Sequence, residues 1–295
     1  MSRGCRLAIS LGTFMAVAAV AGRSARAQEV RSLDRALVFL ARQQRSDGAF
    51  GQGVGRARLT ARVTVAFLAA GQPPGPGRFG LVVSRAQDFL IAHAEREDPD
   101  ADVVLALSQL SGVPADAAHQ ARMRAVLARQ VGLLAASQLS TGAFPAGAGE
   151  SAVSGTCRAV LALRGAAKAG FGPPANALPD AVRYLASAVP ADLDESSRLA
   201  LTLTLSGVPI VEQEGLLDPL VAAGKLSPIA AADVALLSQC VPPALRVVAP
   251  PPPSQNSDGS LGPAQASSDA VRAEVTALGV LELTATSRLL PAFRL

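Results

Sequence analysis

The chain of 295 residues has no tryptophan, one tyrosine (Tyr184) and nine phenylalanines. So few aromatics cannot easily line a cavity that stabilises a carbocation on ring faces. Lysine occurs only at Lys168 and Lys225; the other basic side chains are arginines. After the first 22 residues no apolar run approaches the length of a membrane span. Gly-x-Ser-x-Gly elbows, phosphate loops and dinucleotide fingerprints are all missing, which removes the usual hydrolase and nucleotide-binding signatures. Cysteine is scarce, at Cys5, Cys157 and Cys240. With His93 and His119 these show no zinc-ligand spacing.

The first residues read as a leader. Arg3 and Arg6 precede an apolar stretch from Leu7 to Gly22, and Ala25-Arg26-Ala27 has the small-x-small form of a cleavage site. The expectation is a signal peptide over residues 1–27 and an exported product, periplasmic or extracellular. An uncleaved anchor is the competing reading; the short apolar run and the exit signal disfavour it. Of the 27 basic residues, Arg3, Arg6, Arg23 and Arg26 fall in the leader, leaving 23 against 23 acids. A neutral mature chain carries no electrostatic footprint for nucleic acid or anionic lipid. Export would permit a Cys157–Cys240 disulfide if the fold brought the two together.

What is present is repetition. Three stretches share one pattern: Gln44-Arg45-Ser46-Asp47-Gly48-Ala49-Phe50, Gln138-Leu139-Ser140-Thr141-Gly142-Ala143-Phe144, and Gln255-Asn256-Ser257-Asp258-Gly259-Ser260-Leu261. Each is followed by an apolar helix rich in Ala and Thr. Helical periodicity predicts hairpins of Ser32–Gln43 with Leu59–Ala70, Val82–Ala94 with Asp102–Leu110, Ala118–Gln138 with Val153–Ala169, and Leu178–Ala188 with Ser197–Ser206. An extra segment, Val211–Ala223, precedes a fifth hairpin of Pro228–Gln239 with Ala270–Ala285. The loops centre near residues 48, 98, 142, 192 and 259. The last interval is lengthened by a Pro-rich insert, 241–257, in which Pro250 to Pro253 are consecutive and cannot be helical. Such a period implies stacked helical hairpins in one domain over 28–295, and no strand alternation competes.

The phrase Gln-x-x-x-Gly-x-aromatic, followed by a Thr/Ala helix, resembles the repeats of prenyltransferases and squalene cyclases. Gln44, Gly48 and Phe50 match it, as do Gln138, Gly142 and Phe144; Gly259 with Gln255 and Leu261 is the weaker copy. The stretches Glu150–Leu163 and Thr276–Leu283 are similar to the same family. The resemblance implies an all-α toroid, complete or partial, of inner and outer helices. In it the Gln and the aromatic tie neighbouring loops together.

It also suggests chemistry to weigh. Asp192-Leu193-Asp194-Glu195 is similar to the cyclase Asp-x-Asp-Asp motif, which would make Asp194 a proton donor flanked by Asp192 and Glu195. The plainer reading is a polar loop in which Asp194 or Glu195 caps the next helix. Asp98, Asp100 and Asp102 have a spacing that could hold a divalent metal, but a solvated, helix-capping loop is the favoured reading. Arg56, Arg58 and Arg62 solvate a rim or meet an anion near a helix start. The two loops without glycine are the two rich in acids, so the acids look like variants of a connector. The sequence therefore favours a non-catalytic binding or scaffold domain with no cofactor, whose partner is a protein, peptide or glycan. A lipid-binding or cyclase-like enzyme with an apolar ligand is the alternative.

Overall fold

The protein is described by a computed structural model over residues 30–114, 116–147, 149–223, 226–240, 254–262 and 268–285. The expected leader (1–27) and residues 241–253 of the Pro-rich insert lie outside the described residues. The chain is all-helical there, with no strand and only two isolated bridges, Gln44 to Phe50 and Gln255 to Leu261.

Helix α1 spans 30–42. It is followed by α2 (Arg56–Ala69), α3 (Gly80–Ala94), α4 (Ala101–Leu110), α5 (Ala117–Ala136), α6 (Ala152–Lys168) and α7 (Ala177–Ala186). After α8 (Leu193–Leu205) a 3-10 turn, Ile210–Gln213, leads into α9 (Glu214–Ala222), α10 (Pro228–Cys240) and α11 (Asp269–Thr284). No helix among the described residues is long and apolar enough to cross a membrane.

Two kinds of helix are present. In α2 every residue is buried except Arg56, Arg58 and Arg62, and in α8 every residue except Leu193, Asp194 and Arg198. By contrast α5 and α7 bury one stripe only, Met123, Val126, Leu127, Gln130, Val131, Leu134 and Ala135 in one case and Ala177, Ala181 and Leu185 in the other. Six helices form a contact sequence: α2 packs on α4, α4 on α6, α6 on α8, α8 on α10, α10 on α11, and α11 on α2. That sequence has six members, where counting loops gave five hairpins. The expected extra segment is α9, which packs on α8 just before α10. Small residues set the close approach of α4 and α6: a Cβ on Gly165 would lie 2.8 Å from Ser108 Oγ. Each fully covered Leu or Val in this core is worth about 1.5–3 kcal/mol of transfer free energy.

The three Gln-Gly phrases are one device built three times. The Gln side chain donates to the carbonyl of the phrase's own glycine and to the first turn of another helix. Gln44 Nε2 reaches Gly48 O at 3.0 Å and Val82 O of α3 at 2.7 Å. Gln138 Nε2 reaches Gly142 O and Ala177 O of α7, both at 2.9 Å. Gln255 Nε2 reaches Gly259 O at 3.2 Å and Ser32 O of α1 at 2.7 Å, so the last phrase holds the first helix. The aromatic position is then clipped from behind. Phe50 N donates to Thr60 Oγ1, Phe144 N to Thr156 Oγ1 and Leu261 N to Thr276 Oγ1, at 2.9, 2.9 and 3.1 Å. Phe50, Phe144 and Leu261 are all buried.

Candidate functional site

The helices that carry charge inward start at one end of the molecule. The first turns of α2, α6, α8, α10 and α11 all contribute to the wall of one open cavity of about 530 Å³. Its lining includes Arg58 and Arg62 from α2, Glu150, Ser151 and Ser154 at the start of α6, Asp192, Asp194, Glu195 and Arg198 from α8, and Glu274 from α11. Helix N-termini carry partial positive charge and unpaired N–H groups, so carboxylates gather there for a physical reason. Asp100 caps α4 by accepting from Asp102 N at 2.8 Å, and Asp192 caps α8 by accepting from Glu195 N at 2.8 Å.

Below this mouth lies a belt of ion pairs. Asp102 Oδ2 is within 3.1 Å of Arg158 Nη1, 3.4 Å of Arg62 Nη2 and 3.5 Å of Arg58 Nε. Glu150 receives Arg58 Nη1 at 2.7 Å and also Arg158, while Arg62 is shared with Glu274. One carboxylate thus draws α2 and α6 onto α4, and Arg62 extends the belt to α11. Burial opposes ionisation of Asp102, yet Arg62, Arg158 and Arg58 outweigh it and hold its pKa below the carboxylate range. Burial likewise opposes the charge on Arg62, and Asp102 with Glu274 more than compensate, raising its pKa. On the far side Arg198 Nε lies 3.4 Å from Asp233 Oδ2, and there burial wins: the Asp233 carboxyl is pushed up.

A second, apolar chamber of about 90 Å³ lies on the other side of the belt. It shares Arg62 and Arg198 with the mouth and is lined by Val65, Leu105, Leu161, Leu201, Leu236 and Leu281, among others, with no aromatic ring.

The acidic motifs divide. Asp192, Asp194 and Glu195 are not a loop before a helix starting at Ser197; α8 begins at Leu193, and the cap is Asp192 rather than Asp194 or Glu195. The earlier start follows from Asp192 satisfying the N–H of Glu195 three residues on. Asp194 accepts from Ser227 Oγ. Glu195 is buried and accepts from the Ser151 hydroxyl, from Ser154 Oγ at 3.3 Å and from Ala191 N at 2.8 Å. None of these three has an ion-pair partner among the described residues. Asp98, Asp100 and Asp102 go separate ways: Asp98 is exposed, Asp100 caps a helix and Asp102 is the hub of the belt. Among the described residues no group of three or more His, Cys, Asp and Glu is placed to hold a metal ion.

Other expectations are corrected. Arg58 and Arg62 do not solvate a rim; they lie in the belt, while Arg56 pairs with Asp47 at 3.0 Å and sits over the Phe89 ring. The fold does not join Cys157 and Cys240 in a disulfide. Cys157 lies in the second turn of α6 and Cys240 ends α10, and both helices start at the mouth. Neither sulfur is in a disulfide, and burial pushes Cys157 up to about 12, which leaves its thiol unreactive. The belt itself and the Thr60, Thr156 and Thr276 clips were not foreseen. The sequence signal for the belt was Arg58 and Arg62, four apart, in a helix whose other polar residues are Arg56, Thr60 and Thr64.

Glu282 on α11 supplies a test independent of the site. Its Oε1 is buried without a hydrogen-bond partner among the described residues, and burial pushes its pKa up to about 7. A folded pKa above the unfolded value of about 4.3 means stability falls as pH rises between them, with the full cost above 7. Glu282→Gln therefore stabilises the protein at pH 8 by about 1 kcal/mol after allowance for solvent screening, and by nothing at pH 4. Urea unfolding at the two pH values measures the difference.

Compared with known proteins, the chain matches no family model, no curated protein and no solved structure.

Proposed function

We propose that the chain is a non-catalytic binding domain, an α/α toroid whose central mouth takes a polar segment of a peptide or glycan that presents a cationic group. The cyclic contact sequence of α2, α4, α6, α8, α10 and α11 supports the toroid reading. So does the docking of the third phrase on α1. The observation that carries the binding reading is the contrast between the two cavities. The mouth, at about 530 Å³, has the size of a ligand site, and its α8 wall holds Asp192, Asp194 and Glu195, none of them in an ion pair among the described residues, while Arg198 on the same wall turns to Asp233. The apolar chamber, at about 90 Å³, is below the roughly 300 Å³ at which ligand sites begin, and no aromatic face lines it to hold a carbocation. The prenyltransferase and squalene-cyclase resemblance is therefore read as kinship of architecture. The basic, apolar and small-residue order of residues 1–27 supports an exported location.

Native mass spectrometry tests this on the full chain, using short Lys- or Arg-containing peptides, amino-sugar oligomers and an isoprenoid diphosphate as probes. A cationic peptide or oligosaccharide should bind, and Asp194→Asn should weaken it about tenfold, the usual scale for one charged hydrogen bond. Binding or turnover of the isoprenoid, with the cationic probes silent, overturns the reading.

A further inference from the structure

A further cavity, away from the mouth and the apolar chamber, holds an arginine with no ion pair among the described residues. Arg164 on α6 forms no hydrogen bond or ion pair among the described residues, and its Nε is buried without a partner. Other arginines with a buried Nε, Arg158 and Arg272, have carboxylate partners at their outer nitrogens. Arg164 has none, and burial pulls its pKa down, unopposed by any acid. It lines an open groove of about 430 Å³ together with Leu178, Pro179, Val182 and Ala186 of α7 and Ser206 at the end of α8. The Ser206 hydroxyl is the second buried polar group in this groove with no partner. Buried polar groups are paired in nearly all native structures, so two orphans in one groove ask for a ligand that accepts from both.

The apolar wall has its own explanation in the sequence. Helix α7 carries two neighbouring stripes. Ala177, Ala181 and Leu185, spaced by four, are buried in the core. Leu178 and Val182, one position on, are only half covered and face the groove, as does Ala186. A helix needs one apolar stripe to dock; a second beside it is surface left for something else. At the rim Arg183 is already paired with Asp180 at 2.8 Å. The helical backbone along the walls offers no strand edge or free amide row for an extended peptide.

We propose that this groove binds an amphiphilic carboxylate, a fatty acid, with the carboxylate on Arg164 and Ser206 and the acyl chain along Leu178, Val182 and Ala186. A planar guanidinium fork suits a carboxylate, and the half-covered aliphatic stripe suits an alkyl chain. The site is separate from the mouth and does not depend on what the mouth binds.

The test titrates decanoate into the full chain by isothermal calorimetry, with decanoate methyl ester, decylamine and a short peptide ending in leucine with a free carboxylate as comparison probes. Decanoate should bind at least tenfold tighter than the ester, the amine and the peptide. Arg164→Gln and Arg164→Lys should each weaken it about tenfold or more, Ser206→Ala less, and Arg183→Gln and Asp194→Asn not at all. Circular dichroism checks that each variant is folded. If Arg164→Gln fails to fold, the ester comparison on the unaltered chain and Ser206→Ala decide the matter. Equal binding of acid and ester, indifference to both Arg164 variants, or tighter binding of the peptide overturns the proposal, as does no binding of decanoate at millimolar concentration. A silent mouth with an active groove would count against the binding reading of the mouth alone.

Discussion

Gly142→Ala should lower the unfolding free energy by about 2–5 kcal/mol. Two costs add. Gly142 has φ +87°, a left-handed conformation that costs a residue with a Cβ about 1–2 kcal/mol. The new Cβ would also overlap the Asp180 carbonyl oxygen of α7, which the Gln138 tie holds in place, and overpacking of that kind costs about 1–3 kcal/mol. Gly170→Ala separates the two effects. Gly170 has nearly the same φ, +89°, but open space where the Cβ would go, so only the conformational part is lost. Urea unfolding of both variants gives the comparison. If Gly142→Ala is no worse than Gly170→Ala, the close approach of the phrase to α7 is not a constraint and the tie carries little. The same contrast extends to Gly48 and Gly259, which face Arg85 O and Arg35 O in the same way.

This geometry shows what a sequence can and cannot reveal. The phrase was visible because its chemistry is local: glycine for a left-handed turn and Gln reaching a carbonyl four residues on. Its second half was not visible. Nothing in Gln44, Gln138 or Gln255 says that the other acceptor is Val82, Ala177 or Ser32, and for Gln255 that acceptor is 223 residues away. Helix existence was legible from periodicity, but the start of α8 was not, because Asp194 and Glu195 look like loop residues until Asp192 is known to cap. The belt was the least legible part. Arg58 meets Glu150 across 92 residues and Arg62 meets Glu274 across 212, and no local pattern records such a pairing. Read locally, Arg58 and Arg62 belong on a solvated rim or beside an anion, since arginine is seldom buried unless paired. The two acidic loops did prove to hold capping residues, Asp100 and Asp192, yet each also sends one acid inward, Asp102 and Glu195.

Asp102→Ala should cost about 3–5 kcal/mol, because it strips a shared carboxylate from Arg58, Arg62 and Arg158 and leaves their charge crowded in a place where water is scarce. The side chains of Asp102 and Arg158 are only 12% and 10% exposed, which decides between this regime and that of a surface pair worth under about 1 kcal/mol. Asp102→Asn should lose nearly as much, since it keeps the shape and removes the charge. Salt distinguishes the two regimes: 0.5 M sodium chloride should change the loss little, because buried pairs are weakly screened. Acid gives a further check with a defined sign. The folded pKa of Asp102 lies below the unfolded value of about 3.9, so its contribution is complete above pH 3.9 and disappears as pH falls through the folded value. The unaltered chain should therefore lose stability below pH 4 more steeply than Asp102→Asn does, and the two curves should converge in strong acid. Parallel curves would mean that the three arginines are satisfied by Glu150, Glu274 and solvent, and that Asp102 does not draw α2 and α6 onto α4.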